Sequence, residues 1–355
     1  MKTVMLLLCW FGLMLPDAHA ASFQLSYDGK QLSGQYLAPL DQGVPSAVVL
    51  FVHGDGAMPA DANGYYPLIW QTLRRHGIAV VSWDKPGVGD SKGNWLAQTM
   101  AERQQEVLAV AKWVQETHGI TPQRTGLVGF SQAGWVVPAL AAREDQFGFA
   151  IGIGFAANWI EQGRYYTQEK YTEKGFSPAQ IAAKLREYDQ EIAFFQTEPT
   201  YSEYVSRAGE DAMTPERFTF VMNNFRSDAG ADYRAIRIPT LLLWGEDDLN
   251  VDARHEYQGW QRQPHPKVTT ALLTHANHGL LDSTVFPQQQ FGIWQWLKMA
   301  WLQEAALAES FLPTLMGWLQ GQGLLNGRQV TAASKNGWTV GEWGSGVEVQ
   351  DKEVL

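Results

Sequence analysis

Three polar residues far apart in the chain have the types and surroundings that nucleophilic catalysis needs: Ser131, Asp248 and His278. Ser131 stands in Gly129-Phe130-Ser131-Gln132-Ala133-Gly134, between the apolar run Thr125–Phe130 and a helix-like stretch, Trp135–Arg143. A serine hydroxyl is a weak nucleophile, so it needs an adjacent base and presentation on a sharp strand-to-helix turn. Residues two positions to either side of it must then be small. Gly129 meets that demand; Ala133 stands where a second glycine is expected, and Gly134 follows at once. An acid that orients the base belongs at the carboxyl end of a strand, and Leu241–Trp244 runs into Gly245-Glu246-Asp247-Asp248, where both aspartates qualify. The base belongs on a loop after a further strand. Val268–Leu273 leads to Thr274-His275-Ala276-Asn277-His278-Gly279, which favours His278 with His275 as its rival. In such a set the imidazole takes the serine proton, and the carboxylate fixes its tautomer and stabilises its cation.

The oxyanion formed on attack needs preorganised N–H donors. Val52-His53-Gly54-Asp55-Gly56 ends an apolar strand in small residues, so the backbone of Asp55 is the expected first donor and that of Gln132 the second. His53 reads as a structural histidine that hydrogen-bonds this loop. His275 and His278 have no third ligand cluster at zinc spacing, so neither metal nor cofactor is expected.

These residues require a sheet whose strands end at one edge. Short apolar runs at Ala47–Val52, Ile78–Trp83, Thr125–Phe130, Phe149–Phe155 and Pro239–Trp244 read as strands buried on both faces. Helical stretches such as Leu68–His76 and Met100–Thr117 alternate with them, which implies a mostly parallel sheet with helices on both faces. Asp28-Gly29 between alternating segments predicts an N-terminal hairpin. Residues 158–235 break the rhythm. They hold helix starts at Ser177-Pro178-Ala179-Gln180 and Thr214-Pro215 and no buried strand, so they are expected to form a helical cap over the active edge.

With these motifs in order, the sequence resembles the α/β-hydrolase superfamily over about residues 23–157 and 236–300. His53-Gly54 is similar to its oxyanion loop, and Asp84-Lys85-Pro86-Gly87-Val88-Gly89-Asp90-Ser91 to its D-x-x-G-x-G-x-S loop. Gly245-x-x-Asp248-x-x-Val251 is similar to its acid loop, which favours Asp248 over Asp247, and Asn277-His278-Gly279 to its histidine loop. The hairpin followed by His53-Gly54-Asp55-Gly56 resembles the branch of esterases, thioesterases and prolyl-oligopeptidase-like peptidases. The resemblance implies an α/β-hydrolase fold, a doubly wound sheet with an inserted cap, in which residues 21–157 and 236–320 form the core. A serine nucleophile separates it from dehalogenases and epoxide hydrolases, which place an aspartate there.

The ends and the composition narrow the setting. Lys2, the apolar run Val4–Leu15 and Ala18-His19-Ala20 read as a signal peptide cleaved after Ala20, which implies a secreted or periplasmic protein without stable membrane insertion. Cleavage removes Cys9, the single cysteine, so no disulfide framework is expected. A net charge of −10 argues against nucleic acid as a partner, and 45% hydrophobic residues argue against disorder. Residues 321–355 read as a Gly-rich tail of unassigned role. The expectation is a serine esterase acting on a small ester or acyl substrate. The alternatives are a peptidase or amidase with the same three residues, with acidic cap residues such as Glu161, Glu169 and Glu173 binding an amine; a thioesterase; and a hydrolase-like binding protein without turnover, which the Ala133 departure suggests.

Overall fold

A computed structural model describes residues 20–41 and 43–325. Residues 1–19 of the expected signal peptide and all of the tail beyond Leu325 lie outside the described residues; Ala20 opens the first strand, and 321–325 close the last helix. Eight strands form one sheet: β1 (Ala20–Tyr27), β2 (Lys30–Leu37), β3 (Ala47–Val52), β4 (Ile78–Trp83), β5 (Thr125–Phe130), β6 (Phe149–Ile153), β7 (Thr240–Gly245) and β8 (Val268–Leu273). Their spatial order is β1-β2-β4-β3-β5-β6-β7-β8, with β1, β2 and β4 paired antiparallel and the rest parallel. The β1–β2 turn takes positive φ at both Asp28 (44°) and Gly29 (69°), the conformation for which an Asp-Gly pair is selected.

Every residue of β3, β4, β5, β6 and β7 is buried, because helices cover both faces. Alternate side chains go to opposite layers. Val48, Leu50 and Val52 join one core with Val107, Val110 and Leu140, whereas Val49 and Phe51 join the other with Ile69, Leu73, Phe311 and Leu315. The helices are α1 (Pro67–Arg75), α2 (Met100–His118), α3 (Val137–Ala141), α4 (Trp159–Glu173), α5 (Pro178–Phe195), α6 (Tyr201–Ala208), α7 (Pro215–Asn224), α8 (Gly230–Arg234), α9 (Ala253–Arg262), α10 (Ile293–Leu302) and α11 (Phe311–Gly321).

One expected helix is much shorter than its sequence suggested. Trp135–Arg143 is helical only from Val137 to Ala141, and a 3₁₀ turn, Ser131–Trp135, precedes it. Val136 leaves the helical region at φ −121° and ψ −55°, and Gly134 is pressed so close to Phe155 that a Cβ there would lie 3.1 Å from the ring. Close packing after Ser131 therefore overrides the helical propensity of this stretch.

Between β6 and β7 the chain leaves the sheet and returns. Its stem is clamped by backbone hydrogen bonds, Trp159 N–H to Ser227 O (3.0 Å) and Ala229 N–H to Ala157 O (2.8 Å). α4, α5, α6 and α7 carry a core of their own, with Tyr188, Ile192, Phe195, Tyr204, Phe218 and Phe225 in contact. Ala229, Tyr233 and Ile236 pack instead on the sheet-face core. Ser177 and Gln180 form the expected capping box at the start of α5, and Thr214 caps α7.

Candidate active site

At the carboxyl end of β5, Ser131 takes φ 49°, a left-handed conformation that costs a non-glycine residue strain and turns the chain sharply. The crowding explains the small residues. A Cβ on Gly129 would fall 2.7 Å from Val137 Cγ2, 2.9 Å from Phe155 Cζ and 3.0 Å from the Ala133 methyl. Bare Gly129 thus leaves room for the methyl of fully buried Ala133, and the departure at that position is accommodated.

His278 follows β8 and packs against the backbone of Gly154, where a Cβ would lie 2.9 Å from the imidazole Cε1. Its Nδ1 is 2.7 Å from Oδ2 of Asp248, whose side chain is wholly buried. The other carboxylate oxygen accepts from the N–H groups of Asn250 (2.7 Å) and Val251 (2.9 Å). The turn of the acid loop therefore holds the carboxylate, and the carboxylate holds the ring with Nδ1 protonated and Nε2 free to act. Ser131 and His278 come to the same sheet edge but are not hydrogen-bonded to one another.

Ser131, Gln132 and Asp55 line a cavity of about 470 Å³ between the sheet edge and the cap. His278 lines an adjoining recess of about 340 Å³, and Asn250, Gln289, Phe291 and Trp296 border both. The size suits a small organic ligand.

A model of the alpha/beta hydrolase family matches residues 49–291, more than half of the chain. The chain belongs to the alpha/beta hydrolase family. No curated protein matches it. Among solved structures it is similar to an esterase of Pyrococcus furiosus at 17% identity and TM-score 0.52, over 80% of this chain and 90% of that one. It is also similar to Est1E of Butyrivibrio proteoclasticus at 16% identity and TM-score 0.49, over 72% and 91% of the two chains. A third is a serine hydrolase of Xanthomonas campestris described as having no lid, at 17% identity and TM-score 0.46, over 74% and 87%.

In this alpha/beta hydrolase the rivals of the three residues have other partners. Asp247 accepts from the Ser283 hydroxyl at 2.6 Å and donates its N–H to Ala276 O, so it ties two loops together. His275 is exposed in a turn at φ 52°. His53 is buried, with Nε2 2.5 Å from Trp83 O and Nδ1 3.1 Å from the Tyr66 hydroxyl. Burial, with Lys85 and Arg103 nearby, lowers its pKa to about 3, so it is a neutral strut.

Sequence reasoning missed the buried cations around the expected oxyanion loop. Arg103, on α2, donates to His53 O and, at 2.8 Å, to the Gln132 side-chain oxygen. Lys85 donates to Gly54 O at 2.6 Å and lies 4.9 Å from the centre of the Trp95 ring. Gln132 Nε2 donates to Asp55 at 3.0 Å, and Arg217 from the cap pairs with the same carboxylate at 3.2 Å. These contacts link the loop after β3 with the elbow after β5. Lys85 sits inside the recognised Asp84–Ser91 loop, but nothing in local spacing marks Arg103 or Arg217, which arrive from distant helices.

Of the cap aromatics, Trp159, Tyr166, Tyr188, Phe195 and Phe225 line the cavity. Tyr165 instead donates to the Asp248 carbonyl at 2.8 Å, Tyr171 packs on Phe176, and Phe194 lies under Arg207.

Proposed function

We propose that this alpha/beta hydrolase is a serine esterase that cleaves a carboxylic ester through an acyl-enzyme, with Ser131 as nucleophile, His278 as base and Asp248 as the group that orients it. The observation that carries the reading is the 2.7 Å contact from buried Asp248 to His278, reaching the sheet edge on which strained Ser131 sits.

Ser131 Oγ attacks the ester carbonyl carbon while His278 Nε2 takes its proton. The carbonyl π electrons move to oxygen, where the backbone N–H groups of Asp55 and Gln132 receive the negative charge. Collapse of this intermediate breaks the bond to the leaving oxygen, which takes the proton from His278 and departs as an alcohol. Water then attacks the acyl-enzyme and gives His278 a proton. The second intermediate expels Ser131 Oγ, which recovers that proton, and the acid leaves. Asp248 stays ionised throughout and stabilises the transient imidazolium. Export to the periplasm or beyond, after cleavage at Ala20, belongs to the same proposal, and N-terminal sequencing of the native protein tests it.

The functional test is turnover of short-chain p-nitrophenyl esters by wild type and Ser131→Ala. The expected loss in kcat is on the order of 10⁴-fold or more, and undiminished turnover by the variant contradicts the assignment.

A further inference from the structure

The cavity wall contains one group that ester cleavage does not use. Tyr188, Glu191, Ile192 and Phe195 fall at i, i+3, i+4 and i+7 of α5 and all four line the cavity. Tyr188, Ile192 and Phe195 are buried members of the cap core, so Glu191 is a carboxylate on an otherwise apolar stripe. An acid at such a position loses hydration and needs a partner. Among the described residues it forms no ion pair. The cation whose field reaches it is Arg207, but that guanidinium sits 4.8 Å over the Phe194 ring and donates to Gln190 O at 3.4 Å. Burial outweighs this field and raises the Glu191 pKa above its usual value. The other charges on the wall, Asp55 and Arg217, neutralise each other. The cavity wall is thus left with one carboxylate that has no ion-pair partner, and Trp135, Trp159, Tyr166 and Trp296 line the same cavity, the first two stacked on each other. Aromatic faces and a carboxylate together form a site for an organic cation, and Trp is the best of the ring types for this purpose.

We propose that the cavity takes an ester bearing an ammonium group, with Glu191 as its counter-ion and the surrounding rings as its cage. The ester part of the proposal rests on the function proposed above; the cation site does not. The acids that the sequence suggested for an amine do not line the cavity, and Glu161 and Glu173 are exposed.

The test is calorimetric titration of wild type, Glu191→Gln and Glu191→Asp with benzyltrimethylammonium and with benzyl alcohol as the neutral control, after thermal unfolding has checked each variant's fold. Wild type is expected to bind the cation at least tenfold more tightly than the alcohol. That preference should fall at least fivefold in Glu191→Gln and be partly kept in Glu191→Asp. No preference in wild type, or a preference that survives in Glu191→Gln, overturns the proposal. Should Glu191→Gln not fold, the wild-type ratio and Glu191→Asp decide. A parallel measurement compares kcat/KM for acetylcholine and for 3,3-dimethylbutyl acetate, whose ratio should shift toward the neutral ester in Glu191→Gln. Failure of the ester reading appears separately, as absent turnover of both esters with cation binding intact.

Discussion

Two adjacent carboxylates on one loop meet different partners, and the proposed function assigns them different roles on that ground. Asp248 accepts from two backbone N–H groups and from the His278 ring, whereas Asp247 accepts from the Ser283 hydroxyl. Replacing Asp248 by Asn keeps the shape but favours the wrong imidazole tautomer. On the serine-protease precedent this lowers kcat by roughly 10³- to 10⁴-fold. Asp247→Asn should cost stability and leave kcat within about tenfold, so steady-state kinetics on the pair tests the assignment. The positions of Ser131 and His278 at one sheet edge were legible because Ser131 directly follows the buried strand β5 and His278 lies on the loop after β8. Asp248 was separable from Asp247 only through its resemblance motif, since both follow the same strand. Arg103 and Arg217 were invisible in sequence because their meaning lies in contacts made across the fold.

The turn at Ser131 depends on β5, on the 3₁₀ turn and on what packs against them. Gly129→Ala would drive a methyl into Val137, Phe155 and Ala133, and overpacking of this kind costs about 1–3 kcal/mol. Chemical denaturation should show that loss together with reduced activity. Ala133→Gly relieves only one of the three contacts, so the double variant should recover only part of it. The loop after β3 and the turn after β5 depend on α2. Arg103→Met removes the donor to both His53 O and the Gln132 side chain, and displacement of the proposed oxyanion donors should lower kcat by about 10²-fold with a smaller change in KM. The strands of this framework were read from sequence nearly to the residue, because continuous burial on both faces leaves unbroken apolar runs. The helix after Ser131 is shorter than its sequence suggests, since the crowding of Gly134 against Phe155 is set by tertiary packing that local propensity does not encode.

For the whole molecule, buried His53 and half-buried Glu256 give stability opposite slopes with pH. His53 has its folded pKa lowered from 6.5 to about 3, so the unfolded chain binds a proton that the native state refuses, and stability falls as pH drops through that window. Glu256, on α9, accepts from Ala157 N–H at the foot of the cap. Burial, then the fields of Glu161, Asp252 and Asp228, push its pKa up from 4.5 to about 7. The native state holds a proton there that the unfolded chain lacks, so this group lowers stability as pH rises from about 4.5 to about 7. Glu256→Gln keeps the acceptor and removes the titration. Its Tm should rise relative to wild type across that window, and a gap independent of pH would contradict the assignment.

The central claim is that the sheet edge, the acid loop and the histidine loop converge to make Ser131 a nucleophile. Labelling the folded protein with a fluorophosphonate, followed by peptide mass mapping, tests this most directly. A single adduct on Ser131, greatly slowed in His278→Ala, is the predicted result. Folded protein that takes no label, or takes it on another residue, would contradict the account.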